Sequence, residues 1–136
     1  MQFDKDVMSK QSTLFLKVRD LVMKEIGSDE VYEKLSDNIT TYYSKDDALK
    51  NQGFCYIRTK EDYVHIGWFR GVFIEDKFDF LFGTGKRIRG QIVKKLDKKQ
   101  KDAIKYYIQE SKSYIIEHIE LQKLKKEFIT YLLKYL

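Results

Sequence analysis

The sequence of 136 residues contains no proline, a single cysteine and only two histidines. Glycine is therefore the main residue left to mark turns. One cysteine, Cys55, excludes an internal disulfide bond and is typical of a reducing compartment, so we expect a cytoplasmic location. Two histidines without H-x-x-x-H, C-x-x-C or H-E-x-x-H spacing make a poor set of metal ligands, and we expect no metal or other cofactor.

Long apolar runs are missing as well. No segment approaches the ~20 consecutive apolar residues that a membrane-spanning helix needs. Residues 1–12 mix Asp and Lys without an apolar run, unlike a secretory signal peptide. We therefore expect no membrane among the partners of this protein.

Signatures of catalysis are also absent. The sequence has no G-x-S-x-G nucleophile motif, and no sequence neighbour marks Cys55 as a nucleophile. Acidic residues cluster at 46–47 and within 75–79, but nothing nearby predicts an apolar pocket that would raise the pKa of a carboxyl group. The sequence predicts a protein that is not an enzyme.

The amino-acid composition is typical of one basic globular domain. Hydrophobic residues make up 43% and charged residues 35% of the chain, which excludes a disordered protein. We assign residues 1–136 to one domain, with a core over about 12–118 and a C-terminal helical extension over 119–136. The net charge of +5 is uneven, because residues 86–105 carry nine basic and two acidic residues. Such a cluster attracts anions, unless it serves only solubility.

Helices are predicted near both ends of the chain. Apolar residues at three- and four-residue spacing predict a helix over 12–26, and a weaker pattern predicts a short helix over 28–35. From the predicted N-cap Asp97 the pattern is helical to the end, with Gln100 completing a variant of the capping box. Because about forty residues is long for one globular helix, we expect a break near His118.

Strands are predicted between these helices. β-branched and aromatic residues indicate a strand over 39–43, and residues 87–95 form the last strand. The runs over 53–59 and 63–70 are joined by a short polar turn and predict a β-hairpin. Both faces of the second run are apolar or aromatic, which predicts a strand covered on both sides with Trp68 buried. The predicted fold class is α+β, a twisted antiparallel β-sheet packed by helices.

One glycine-rich motif is the best candidate for a binding site. It consists of Gly83, Thr84, Gly85, Lys86 and Arg87, with Arg89 two residues further on. Two glycines one residue apart permit positive φ, so that successive amides can turn toward one anion beside these cations. The motif is not a Walker A loop, because Phe80 stands where that pattern needs a glycine. The alternative is that the glycines serve only a tight turn.

Two polar residues of the predicted hairpin need separate interpretations. Arg70, at the end of the central strand, can bind an anionic ligand or pair with a carboxylate of the fold such as Glu75 or Asp79. The internal ion pair is the favoured interpretation. His65 lies within an apolar strand and is expected to be a packed, hydrogen-bonded side chain rather than a ligand.

Two motifs resemble the YdhG-like family, a domain family of unknown function. They are the run from His65 to Gly71 and, after Leu81, the run from Gly83 to Arg89. Members of that family are similar in having an aromatic-rich strand that ends near a glycine bend, followed by a G-T-G-K-x-x-R turn into a strand. The resemblance covers about residues 14–118. It implies an α+β fold like that of type III secretion chaperones and of the N-terminal domain of competence regulators.

The resemblance also implies a function that other features disfavour. Some relatives are described as frataxin-like iron chaperones, and iron donation by carboxylates needs an acidic ridge on one helix. Here Lys17, Arg19 and Lys24 place positive charges on the first predicted helix, which therefore has no continuous acidic ridge. The chain also lacks the prolines that are common in the family. We expect iron to bind only nonspecifically.

Three functions are open at this point. The first is a non-enzymatic binding or accessory domain that recognises a small anionic ligand or an acidic partner protein, through the motif at 83–89 and through Arg70. The second is a nucleic-acid-binding protein that uses Tyr56, Tyr63 or Phe69 as stacking platforms. The third, an iron chaperone, depends on the family resemblance alone.

Overall fold

A five-stranded antiparallel sheet forms the centre of the protein in a computed structural model that describes residues 1–136. Each strand pairs with its neighbour in sequence: β1 (Val31–Leu35), β2 (Thr40–Ser44), β3 (Gly53–Thr59), β4 (Val64–Trp68) and β5 (Arg89–Val93). Three α-helices complete the fold: α1 (Gln2–Val7), α2 (Ser12–Ile26) and α3 (Lys98–Tyr135). The predicted α+β class with an antiparallel sheet is confirmed.

The β3–β4 hairpin shows why the sheet has one buried face. Ile57 pairs with Ile66, and Cys55 pairs with Trp68, so alternate residues of both strands point to the same side. All four of these side chains are fully buried. The hairpin and the burial of Trp68 are therefore as predicted.

Helices α2 and α3 cover this face with apolar side chains at helical spacing. The buried residues are Phe15, Val18, Val22 and Ile26 from α2, and Ala103, Ile104, Tyr107, Ile108, Ser111 and Ile115 from α3. The predicted cap of α3 is confirmed, because the Asp97 carboxylate accepts the amide hydrogen of Gln100 at 2.9 Å. The Trp68 indole packs edge-on against Tyr107, with ring centroids 5.7 Å apart.

The short helix predicted over 28–35 is wrong, because Val31–Leu35 forms the edge strand β1. Five residue pairs join this strand to β2. Its Glu33 also accepts hydrogen bonds from Arg19 on α2 and from the Tyr42 hydroxyl on β2. Long-range bonds of this kind override a weak local helical pattern.

Helix α1 is a further element that the sequence does not predict. It is held by the buried Asp6, whose carboxylate accepts the amide and hydroxyl hydrogens of Thr59 on β3 at 2.9 and 2.7 Å. A single buried carboxylate thus ties the N-terminal helix to the sheet.

The break predicted near His118 is also wrong, because α3 continues without interruption to Tyr135. The segment contains neither glycine nor proline, and Lys, Glu, Gln and Leu, which favour helix, dominate its second half. At 1.5 Å per residue the helix is about 57 Å long, and from residue 120 onward nearly all of its side chains are exposed. Neither α3 nor any other helix is long and apolar enough to cross a membrane.

The opposite face of the sheet is covered by aromatic rings rather than by a second layer of helices. The ring of Tyr56 lies so close over Gly67 that a Cβ added to the glycine would lie 2.1 Å from it. The ring of Phe82 covers Gly90 in the same way. Strand β4 is therefore covered on both sides, as predicted. On this face, however, the cover consists of single aromatic rings, which fit because glycine has no side chain in their way.

A candidate anion-binding groove

A groove of about 960 Å³ lies where β4 ends, between that end of the sheet and the middle of α3. The sheet side contributes Tyr43, Gly53 and Phe69, and the helix contributes residues between Tyr114 and Lys126. Phe73 and Arg87, from the loop between β4 and β5, also line it. We call this site the basic groove.

The groove is lined by five cationic side chains and no carboxylate. They are Lys50, Arg70, Arg87, Lys123 and Lys126. None of the five takes part in an ion pair within the chain. They come from four separate segments, so only the folded structure assembles them, and their charges add within one concave surface.

Arg70 is fixed in the groove by neutral acceptors. Its guanidinium donates one hydrogen bond to the carbonyl of Gly53 and one to the side-chain oxygen of Gln52 at 2.7 Å. The favoured ion pair with Glu75 or Asp79 is therefore wrong, because the strand end faces the loop before β3 instead. Burial lowers the pKa of Arg70, and the positive charge of Arg87 acts in the same direction. Arg70 thus keeps an uncompensated charge in a defined position.

Arg87 is the exposed counterpart of Arg70. Its side chain makes no hydrogen bond and no ion pair, while its carbonyl oxygen accepts the amide hydrogen of Val72 and fixes the backbone. The sequence identified both arginines as candidates. Their shared groove was missed, since its second wall requires α3 to pass His118 without a break.

Stacked rings form the apolar part of the groove wall. Phe73 stacks on Tyr114 with centroids 5.3 Å apart, and Tyr114 stacks on His118 at 6.0 Å. Phe69 lines the sheet side. Flat apolar walls beside cations suit a ligand that carries both a planar group and a negative charge.

The glycine-rich motif lies beside the groove rather than in it, apart from Arg87. Gly83, Thr84, Gly85 and Lys86 are exposed, and Gly83 has a positive φ of 129°. The amides of residues 83–88 donate no hydrogen bond within the chain, so these donors are available. Arg89 instead donates to the carbonyls of Gly85 and Ile88. Anion binding by this turn stays a prediction.

A row of rings on the outer sheet face leads into the groove. Tyr56 stacks on His65 with centroids 5.5 Å apart, and it contacts Phe69, which also lines the groove, at 6.2 Å. Phe82 packs edge-on against His65. Tyr63, the third stacking platform predicted from the sequence, makes no ring contact with this row.

Protonation of His65 should make the free energy of unfolding depend on pH. Burial lowers the pKa of His65 from its ordinary 6.5, and the charges of Arg58 and Lys60 lower it further. Below about pH 6.5 the unfolded chain therefore binds this proton more readily than the folded chain, and the free energy of unfolding falls.

We expect the substitution His65→Gln to remove this part of the acid destabilisation. Urea unfolding of the wild-type and variant proteins at pH 7.5 and pH 5 measures the difference between them. An identical loss of stability in both proteins would show that His65 titrates in the same way in the folded and unfolded chains.

Metal-binding and acidic sites receive no support from the arrangement of side chains. The structure contains no group of three or more His, Cys, Asp or Glu side chains that could hold a metal ion. Asp76, from the acidic cluster, accepts the amide hydrogens of Phe80 and Leu81 and the hydroxyl hydrogen of Tyr107. This carboxylate therefore organises the loop after β4.

Comparisons of the chain with protein-family models, curated proteins and solved structures give no significant match. The resemblance to the YdhG-like family accordingly stays a prediction.

Proposed function

We propose that this protein is a non-enzymatic binding domain that takes up an anionic ligand in the basic groove. The observation that carries the proposal is the convergence of five unpaired Lys and Arg side chains on one groove that has no carboxylate. Its half-buried member, Arg70, is fixed by neutral acceptors and keeps its charge for a ligand.

The energetics favour a site of this composition. A charge-assisted hydrogen bond contributes roughly 1.5 to 3 kcal/mol when it is sheltered from water, so one such bond alone gives an affinity weaker than about 1 mM. Several cations acting together can reach micromolar affinity, and aromatic walls add apolar contact area. The volume of about 960 Å³ is sufficient for a small ligand or for a short acidic segment of a partner protein.

An NMR titration of the full chain with inorganic triphosphate tests the proposal. We expect saturable shifts of the backbone amides around Gln52, Arg70, Arg87 and Lys123, because these residues border the groove. Shifts confined to residues 83–86 would assign anion binding to the exposed turn instead. Failure to saturate anywhere would contradict both sites.

A second candidate function, binding of single-stranded nucleic acid, is favoured by the row formed by Tyr56, His65, Phe69 and Phe82. Bases stack on such rings while a basic groove follows the phosphates. A twelve-nucleotide oligothymidylate should then shift the amides of this row as well as those of the groove. With about five phosphate contacts, the logarithm of its affinity should fall with the logarithm of salt concentration at a slope of about −3 to −4. A small-ligand site would respond to triphosphate without engaging the row.

Two further expectations are part of this proposal. We place the protein in the cytoplasm, on the ground of its single cysteine, Cys55, which is buried. We do not propose an iron-chaperone function, because no set of side chains in the structure suits iron.

A further inference from the structure

The C-terminal half of α3 carries an apolar stripe that is largely exposed to solvent. Its members follow each other at alternating spacings of three and four residues: Leu121, Leu124, Phe128, Tyr131 and Tyr135. Each of these side chains is 56–64% exposed, on a helix that is regular from end to end. We call residues 120–135 the arm and these five side chains the seam.

The spacing of the seam is that of a coiled coil. Alternation of three and four residues places the side chains at the a and d positions of a heptad, which face a partner helix along a narrow line. A stripe that served only its own domain would continue the direction of the buried residues Ile104, Ile108 and Ile115. At 100° per residue, however, the seam lies about 160° around the helix from them.

The seam is directed away from the basic groove. Gln122, Lys123 and Lys126 line the groove from the other side of the arm, about 170° around the helix from the seam at 100° per residue. A partner helix packed on the seam would therefore leave the groove accessible.

We propose that the seam pairs with the same seam of a second copy of this chain, in a parallel two-helix contact. Parallel pairing places Glu120, at a g position, opposite Lys125 at the e position of the other copy, and does so twice by symmetry. This complementarity of charge, together with the heptad spacing, identifies another copy of the chain as the occupant.

The contact is large enough for a weak but specific dimer. Aromatic side chains bury ~150–250 Å² each when fully enclosed. Even half of that area from the six rings of a dimer, with four leucines added, approaches the ~1,000 Å² of a specific interface. The helix is already formed and anchored by the domain, so association need not supply the cost of helix nucleation.

Light scattering of the full chain during size-exclusion chromatography tests the pairing. At about 100 µM protein we expect a mass near twice the 16.4 kDa of one chain, falling toward the monomer value on dilution. The substitution Phe128→Glu should give the monomer mass at the same concentration. A wild-type protein that is monomeric throughout this range overturns the proposal.

Matched variants separate the seam from general effects of charge and folding. Thr130→Glu adds the same charge at an exposed position on the opposite side of the arm, and it should leave the dimer intact. Circular dichroism should show unchanged helix content for both variants, and triphosphate binding should persist in Phe128→Glu. A dimer that dissociates equally in both variants, or in neither, contradicts the seam as the contact.

A charge swap tests the parallel arrangement. Glu120→Lys should weaken the dimer by placing like charges opposite each other, and the double substitution Glu120→Lys with Lys125→Glu should restore it. A dimer that is insensitive to the single substitution contradicts parallel pairing.

Discussion

Replacing Trp68 with alanine is expected to lower the free energy of unfolding by about 3–5 kcal/mol, the usual cost of truncating a large aromatic side chain in a core. Trp68 is fully buried at the end of β4 and contacts Tyr107 of α3. Its indole nitrogen donates a hydrogen bond of 3.0 Å to the buried side chain of Gln91. The substitution therefore leaves a cavity and removes the hydrogen bond that Gln91 receives from the indole.

Chemical denaturation followed by circular dichroism measures this loss. Trp68→Phe keeps most of the apolar volume and should cost less than the alanine substitution. Tyr32→Ala, at an exposed aromatic position on β1, should change stability by no more than about 0.5 kcal/mol. If Trp68→Ala is as mild as Tyr32→Ala, the packing of α3 against the sheet is not what stabilises this fold.

The sequence predicted those elements whose signal is local and strong. The β3–β4 hairpin followed from two β-prone runs around a short polar turn, and the start of α3 followed from Asp97 as an N-cap. The buried side of β4 followed from the two-residue period of Val64, Ile66 and Trp68. The spacing of apolar residues and the capping of a helix depend on residues that are close in sequence, so both can be recognised without a structure.

The errors arose where distant residues decide the conformation. The edge strand β1 depends on backbone pairing with β2 and on Glu33, whose partners Arg19 and Tyr42 belong to other elements. On β5, whose buried face was not predicted, the polar Gln91 faces the core and accepts the hydrogen bond of the Trp68 indole, whereas Ile92 points outward. The sequence of a five-residue strand does not show by itself which of its two faces is buried.

The candidate site was predicted only in part, for the same reason. Arg70 and Arg87 were recognised from their positions beside glycines, but the lysines that join them come from a loop and from the distant helix α3. A helix expected to end near His118 provides no wall for a groove. The length of α3 is thus what turns two separate arginines into part of one site.

Charge reversal at Arg87 is expected to have the largest effect on function, lowering the affinity for triphosphate by at least tenfold. The loss of one charge-assisted hydrogen bond corresponds to roughly 1.5 to 3 kcal/mol, or about 10- to 150-fold. The new carboxylate of Arg87→Glu would in addition compete with the ligand for Arg70. Because the Arg87 side chain makes no hydrogen bond within the chain, its replacement should leave the fold intact.

The matched control is Lys17→Glu, which makes the same change in net charge on the exposed surface of α2, outside the groove. We expect that control to change the affinity by less than about twofold at physiological salt, where charges more than ~8 Å away are largely screened. Lys123→Ala is not a suitable control, because Lys123 lines the groove.

Isothermal titration calorimetry of triphosphate into the wild-type protein, Arg87→Glu and Lys17→Glu tests the central claim most directly. The basic groove predicts saturable binding to the wild-type protein, nearly the same binding to Lys17→Glu, and a loss of at least tenfold in Arg87→Glu. Equal affinities in all three proteins, or equal losses in both variants, would contradict the groove as the anion-binding site.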